Sequence, residues 1–355
     1  MSASATPFAI NGLGRIGRAL LRIAATRPSL ELVAVNDLGS AAQLAHLIAH
    51  DSLHGPYPGT VAIAGDNLLL DGRQVTVFNA ADAGDIRWQD SAAQVVVDAT
   101  GLRTTRESAA EHLRPNIERI IVSANADVDV TLCMGVNTQA YEPAKHRILS
   151  AASCTTNCLA PIAYLLHREY GIARGALNTV HSYNNDQRLL DTVHPDPRRS
   201  RAAPLNMIPT TTSAVTALGR VLPELADRLV GFAIRVPTPN VSLIDLVVEL
   251  EAPQPPAAIN DLFRQAAGGE LAGILGVEEE QLVSSDFLGN ENSATVDLAL
   301  TQGVAPSMIR VVAWYDNEWG HACRLADLLE LVGSRDDEAP VDSTEELGAL
   351  QEDNS

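Results

Sequence analysis

Apolar residues first gather in a short strand from Pro7 to Leu13, which runs into glycines, and then recur at helical spacing from Arg18 to Thr26 until Pro28 stops them. Leu30 to Val35 is a second apolar strand, so strand, glycine turn, helix and strand form a βαβ unit. The apolar runs Gln94–Val97 and Arg119–Val122, with a helical stretch between them, continue it as a parallel, doubly wound sheet. After about Ser150 the texture changes. A helix spans Thr155 to Tyr170, a polar segment with four arginines runs from His181 to Ala203, and alternating strands lie around Arg235–Glu251 and Thr295–Leu300. This grouping predicts a second domain, α+β in class, with a mostly antiparallel sheet. Pro253, Pro255 and Pro256 stand between strand and helix and read as a surface loop, not a domain linker.

The chain has 355 residues, against roughly 100–200 for a typical domain, which favours two domains. Lys and Arg number 25 against 44 Asp and Glu, a net charge of −19 that repels phosphate backbones and anionic headgroups, so nucleic acid and membrane are not expected partners. The first ten residues lack a basic region followed by an apolar one, and nowhere do about 18 apolar residues run together. Four scattered cysteines form neither a disulfide framework nor a Cys-x-x-Cys zinc pair. A reduced, cytoplasmic setting without a bound metal is the expectation. Residues 333–355 carry eight acidic side chains against one arginine and read as a disordered, solvated tail.

Asn11-Gly12-Leu13-Gly14-Arg15-Ile16-Gly17 is a G-x-G-x-x-G after a strand and opening a helix, with Asp37 at the end of the next strand. Gly12 permits the tight turn, Gly14 lets backbone approach a pyrophosphate, and Gly17 allows helix and strand to pack closely. The amides of Arg15 and Ile16 face the anion at a helix N-terminus. Asp37 accepts from the adenosine ribose hydroxyls and repels a 2′-phosphate, which favours NAD over NADP.

Ser153-Cys154-Thr155-Thr156-Asn157-Cys158 precedes an apolar helical run, so Cys154 falls at the N-cap or in the first turn. Unpaired amides and the macrodipole there would lower its pKa and supply oxyanion donors. Cys158, one turn on, is read as an inert buried thiol, and Pro161 as tolerated near the helix start. His181, after a strand over Ala176–Val180, is the candidate base. A nucleophilic thiol beside a dinucleotide fits aldehyde oxidation: addition gives a hemithioacetal, loss of hydride to a nicotinamide leaves a thioester, and water or phosphate resolves it.

Several further motifs carry a resemblance. They include His50-Asp51-Ser52-Leu53-His54-Gly55, His181-Ser182-Tyr183, Arg198-Arg199-Ser200-Arg201-Ala202-Ala203, Arg235-Val236-Pro237-Thr238-Pro239-Asn240 and Trp314-Tyr315-Asp316-Asn317-Glu318-Trp319-Gly320. With the glycine and cysteine motifs, the chain resembles the glyceraldehyde-3-phosphate dehydrogenase family along almost all of residues 7–332. The resemblance implies an α/β fold: an N-terminal Rossmann NAD-binding domain over 1–152, a catalytic domain over 153–317, a C-terminal helix over 318–332 returning to the first domain, and the tail over 333–355. It implies Cys154 as nucleophile, His181 as base, and Asn317 on the nicotinamide carboxamide. Asp37, Ser123 and the Arg15–Ile16 amides would hold the rest of NAD. Ser153, Thr155, Arg199 and Thr212 fall where attacking inorganic phosphate is held, and Arg235 where the substrate phosphate is held; planar guanidinium forks suit both. A homotetramer is implied as well.

Departures from the family pattern are Asn184 for a threonine near the substrate phosphate, Ser213 for a glycine where an anion approaches backbone, and Val193 for a proline beside a neighbouring subunit's adenine ribose. Asn184-Asn185-Asp186-Gln187 and His194-Pro195-Asp196 are similar instead to erythrose-4-phosphate dehydrogenase, a sister enzyme in which water deacylates the thioester. Phosphorylating oxidation of glyceraldehyde 3-phosphate to 1,3-bisphosphoglycerate is the leading expectation. Erythrose 4-phosphate oxidation is the second, and an NAD-binding scaffold with a partner-docking acidic tail the third.

Overall fold

The computed structural model describes residues 5–336. Its first sheet has nine strands, in the spatial order Val130–Thr131, Ile148–Ser150, Arg119–Val122, Val95–Asp98, Thr6–Asn11, Leu30–Asn36, Arg73–Phe78, Asn67–Leu70 and Val61–Ala64. The first seven pair in parallel; the last two are an antiparallel excursion that the hydrophobic pattern had not marked. Alternation along each central strand assigns its faces. Phe8, Ile10, Val95, Val97 and Ile121 point into one buried cluster, Ala9, Val96, Ile120 and Val122 into another, and this two-sided burial is why the strands read as unbroken apolar runs.

Strand order reverses at Thr6–Asn11, which has Leu30–Asn36 on one side and Val95–Asp98 on the other. A crevice therefore opens at the carboxyl ends of these strands, the usual ligand position in an open α/β sheet. The glycine turn lies there. Gly12 has φ +90, a left-handed conformation, and a Cβ on it would press against Thr100. Gly14 has nothing within 4 Å of its missing side chain, whereas a Cβ on Gly17 would sit 2.1 Å from the carbonyl oxygen of Gly12.

The second sheet has the path Ile208–Thr210, Leu229–Val236, Ile172–Ser182, Ser242–Leu250, Met308–Tyr315, Ala294–Asp297 and Leu275–Glu278, with Gln302–Ala305 added to Met308–Tyr315. Two of its pairings are parallel and the rest antiparallel. Residues of Ser242–Leu250 alternate buried and half-buried, with Ile244, Leu246 and Val248 packed in the same core as Leu159, Ile162 and Leu166 of the helix Cys154–Tyr170.

Several expected boundaries shift. The helix starts at Cys154, with Ser153 as N-cap, and Pro161 is its eighth residue; it lies past the first turn and removes one backbone hydrogen bond from the interior. The strand expected over Ala176–Val180 runs Ile172–Ser182, so His181 lies within it, in register with Arg235 of the neighbouring strand. Thr295–Leu300 is strand only to Asp297 and then turns as a short 3-10 helix. The last helix, Trp319–Asp336, buries Ala322, Leu325, Leu329 and Val332 in the first sheet's core. It continues past the expected end at 332, so 333–336 is helical and not tail; the acidic run from 337 onward lies outside the described residues.

The glycine geometry yields a stability prediction. Gly17→Ala, which forces a methyl into backbone oxygen, should cost about 1–3 kcal/mol, the usual range for overpacking, and lower the thermal midpoint. Gly14→Ala should cost less than about 1 kcal/mol. Equal melting of the two variants would contradict this packing.

Candidate active site

A single cleft of about 1290 Å³ runs from the glycine turn to the second sheet. Every residue predicted to act in catalysis or to bind cofactor or substrate lines it except Gly17, which lies behind the turn.

At the dinucleotide end, Gly14 caps the helix Arg15–Ala24 with backbone alone, leaving the first amides without a side-chain acceptor. Asp37 accepts from the Leu13 amide at 2.8 Å and the Gly39 amide at 3.2 Å, which fixes its carboxylate at the cleft edge. The Arg15 side chain turns away from the anion site: it bridges Asp51 at 2.6 Å and Glu318 at 2.6 Å, tying the glycine turn to the residue after Asn317. A buried network supports the turn from below. Asn11 Nδ2 donates to Asp98 at 2.8 Å, and Asn36 Nδ2 donates to Asn11 Oδ1 at 2.8 Å. The carbonyl of Ser123 lies 3.1 Å from His321 Nε2. Asn317 Oδ1 accepts from the Ser182 and Ser242 hydroxyls, both at 2.9 Å, so its amide nitrogen is the end left for a ligand in the cleft. The open space at Gly14, the carboxylate of Asp37 at the cleft edge and the oriented Asn317 fit a dinucleotide.

At the other end Cys154 Sγ lies 3.5 Å from His181 Nε2. His181 Nδ1 is 2.7 Å from the Ser182 carbonyl; a proton there leaves Nε2 bare toward the sulfur. Arg235 Nη1 shares that carbonyl at 3.1 Å and crowds Nδ1 at 2.5 Å. Burial, and then the Arg235 charge, push the imidazole down to about 3. The thiol departs from the sequence-based expectation: burial raises its pKa, and Arg235 together with the first-turn amides only partly offsets this. The macrodipole effect is real but smaller than the cost of removing a thiolate from water. Both shifts favour the uncharged forms of Cys154 and His181.

Thr155 also departs. Thr179 Oγ1 donates to the Leu243 carbonyl at 3.1 Å, so Tyr315 Oη donates to Thr179 at 2.9 Å and in turn accepts from Thr155 Oγ1 at 2.9 Å. The Thr155 hydroxyl is thus spent inward on Tyr315. Arg199 is held by Thr210 at 2.8 Å and by Asp186 at 2.9 Å, and Thr212 Oγ1 accepts from the Ala214 amide at 3.2 Å; both still line the cleft, with Asn184 and Ser213 beside them. Arg201 pairs with Asp191, a structural role. The sequence reading missed Tyr315, Thr179 and the serines that orient Asn317, because their partners come from distant strands; the only signal was that Tyr315 and Asn317 share one motif. Among the described residues no group of three or more His, Cys, Asp or Glu is placed to hold a metal ion.

A switch-point crevice with a glycine turn, joined to a thiol at a helix start and an imidazole on a second sheet, defines an NAD-dependent oxidoreductase. Comparison with known proteins narrows the class. Residues 6–106 match the family profile "Glyceraldehyde 3-phosphate dehydrogenase, NAD binding domain", and residues 153–317 match "Glyceraldehyde 3-phosphate dehydrogenase, C-terminal domain". The chain is 48% identical to glyceraldehyde-3-phosphate dehydrogenase of Geobacillus stearothermophilus over 332 residues, 93% of this chain and 99% of that protein. It is 47% identical to glyceraldehyde-3-phosphate dehydrogenase 1 of Bacillus subtilis (strain 168) over 332 residues, with the same coverage. The chromosomal glyceraldehyde-3-phosphate dehydrogenase of Cupriavidus necator is 46% identical over 324 residues, 90% of this chain and 96% of the relative. The chain belongs to the glyceraldehyde-3-phosphate dehydrogenase family, and these relatives favour that activity over the erythrose 4-phosphate alternative.

Exposure separates the four thiols. Cys154 is half-buried, whereas Cys133, Cys158 and Cys323 are buried, and burial pushes Cys133 and Cys323 up to about 12. Iodoacetamide on the folded protein should therefore modify one thiol per chain, Cys154, with loss of activity. Labelling of a second cysteine at a comparable rate would contradict this picture.

Proposed function

We propose that Cys154 and His181 carry out the phosphorylating oxidation of D-glyceraldehyde 3-phosphate to 1,3-bisphosphoglycerate with NAD. The observation behind this reading is the 3.5 Å contact of Sγ with Nε2, in the same cleft as the glycine turn. The neutral imidazole accepts the Sγ proton as sulfur adds to the aldehyde carbon, and amides at the helix start stabilise the oxyanion. Bound NAD supplies the acceptor that makes the step an oxidation and leaves a thioester on Cys154. Inorganic phosphate then attacks the thioester carbon, sulfur leaves, and His181 returns the proton.

Gly12, Gly14 and the Arg15 and Ile16 amides hold the pyrophosphate, with Gly17 allowing the turn to pack. Asp37 holds the adenosine ribose and disfavours a 2′-phosphate, Ser123 contacts the cofactor, and the Asn317 amide nitrogen donates to the nicotinamide carboxamide. Ser153, Arg199, Thr212 and Ser213 hold the attacking phosphate. Thr155, whose hydroxyl is engaged by Tyr315, contributes its backbone amide. Arg235 and Asn184 hold the substrate phosphate, and an anion on Arg235 also relieves the charge that crowds the imidazole.

Self-association into a homotetramer accords with exposed apolar side chains in and near the arginine-rich segment and on the second sheet: Leu189, Leu190, Val193, Leu205, Met207 and Phe232. No described helix is long and apolar enough to cross a membrane, and the free cysteines accord with a reducing, cytoplasmic setting. A scaffold role for the acidic tail concerns residues outside those described.

Cys154→Ser should abolish dehydrogenase activity while NAD binding, followed by fluorescence quenching, survives. His181→Asn should slow acylation by about two to four decades. Turnover above a few per cent in the serine variant, or acylation at the wild-type rate in the asparagine variant, would overturn the assignment.

A further inference from the structure

The loop after Arg119–Val122 lines the cleft through Ser123 and, two residues on, through Asn125 beside the Thr211–Ser213 turn. Asn125 Nδ2 donates to Ser213 Oγ at 2.8 Å, and Thr156 Oγ1 donates to Asn125 Oδ1 at 3.4 Å. Thr156 is itself bound to the N-cap of the catalytic helix: its amide donates to Ser153 Oγ at 3.1 Å, and the two hydroxyls are 2.8 Å apart. One carboxamide from the first half of the chain therefore joins the Thr211–Ser213 turn to the turn that carries Cys154. The two contacts fix its orientation, nitrogen at Ser213 and oxygen at Thr156.

Hydrogen-bond direction gives this bridge a chemical consequence. Ser213 Oγ receives the Asn125 proton, so the serine's own proton is free to be donated. Ser213 caps the helix Ala214–Val221 without a side-chain cap bond, leaving that hydroxyl uncommitted to the helix. Arg220, in the last turn of the same helix, donates from Nη1 to the Ala126 carbonyl at 2.5 Å, with Nη2 3.5 Å from Asp127. The helix is thus pinned to one loop at both ends, and Asn125 is held in place against Ser213.

We propose that Asn125 is a positioning residue of the acceptor-phosphate subsite, holding Ser213 so that its hydroxyl donates to the attacking anion and tuning the choice of phosphate over water. This rests on the phosphorylating reading above.

The test compares Asn125→Ala, Ser213→Ala and the double variant in the full-length enzyme. Two quantities are read: the KM for inorganic phosphate at steady state, and the burst of NADH formed without phosphate, which reports acylation alone. Loss of a hydrogen bond to a charged ligand corresponds to about a tenfold effect. Asn125→Ala should raise the phosphate KM by about that factor while the burst rate stays within about twofold, and the double variant should be no worse than the poorer single one. Asn125→Asp, which accepts from Ser213 and turns its proton away from the anion, should raise the KM further. An unchanged phosphate KM, a burst that falls in parallel with it, or additive effects of the two alanines would overturn the proposal. A wild-type enzyme that turns over without phosphate would sink the parent reading, and this inference with it.

Discussion

The chemistry depends on one buried hydroxyl. Tyr315 Oη lies 2.9 Å from Thr155 Oγ1, the residue after Cys154, and 2.9 Å from Thr179 Oγ1, two residues before His181. Cys154 opens a helix and His181 lies near the end of a strand, and nothing in either element alone sets their separation. The tyrosine arrives on the strand Met308–Tyr315 and connects both, while its ring meets the imidazole edge-on at 5.9 Å. A directed chain of protons from Thr155 through Tyr315 and Thr179 to the Leu243 carbonyl makes this buried polar cluster fully satisfied, the condition under which such a network rigidifies a core.

That clamp holds a pair whose charged forms burial disfavours. A thiolate beside an imidazolium would face the desolvation cost of two ions, and the half-buried Arg235 guanidinium opposes the imidazolium further. The geometry suits concerted proton removal as sulfur attacks. At the far end of the cleft, the ion pairs of Arg15 with Asp51 and Glu318 connect the glycine turn to the segment bearing Asn317 and couple the two in position.

What could be read from sequence was what local physics encodes. The glycine turn and Asp37 are set by backbone conformation and by the ends of adjacent strands, and Cys154 by a helix start. The parallel strands showed as apolar runs because both faces are covered. Long-range features were not legible. The excursion Val61–Phe78 is the exception, a local feature that went unread: Asp71-Gly72, both at positive φ, is a two-residue hairpin turn between Leu68–Leu70 and the alternating Arg73–Val77. The register of His181 with Arg235, the burial that reverses the expected thiol shift and the inward turn of the Thr155 hydroxyl all depend on which strands become neighbours. The helix end at Asp336 was misplaced because acidic residues there looked like the start of the tail, whereas packing of Leu325, Leu329 and Val332 carries the helix onward.

The claim that a covalent bond forms at one sulfur is tested most directly by trapping the intermediate. Enzyme mixed with glyceraldehyde 3-phosphate and NAD in the absence of phosphate, quenched in acid and digested, should yield one acylated peptide per chain, with the acyl group on Cys154, and the adduct should vanish when inorganic phosphate is added before the quench. NADH formation with no adduct, or an adduct on any other residue, would contradict the account.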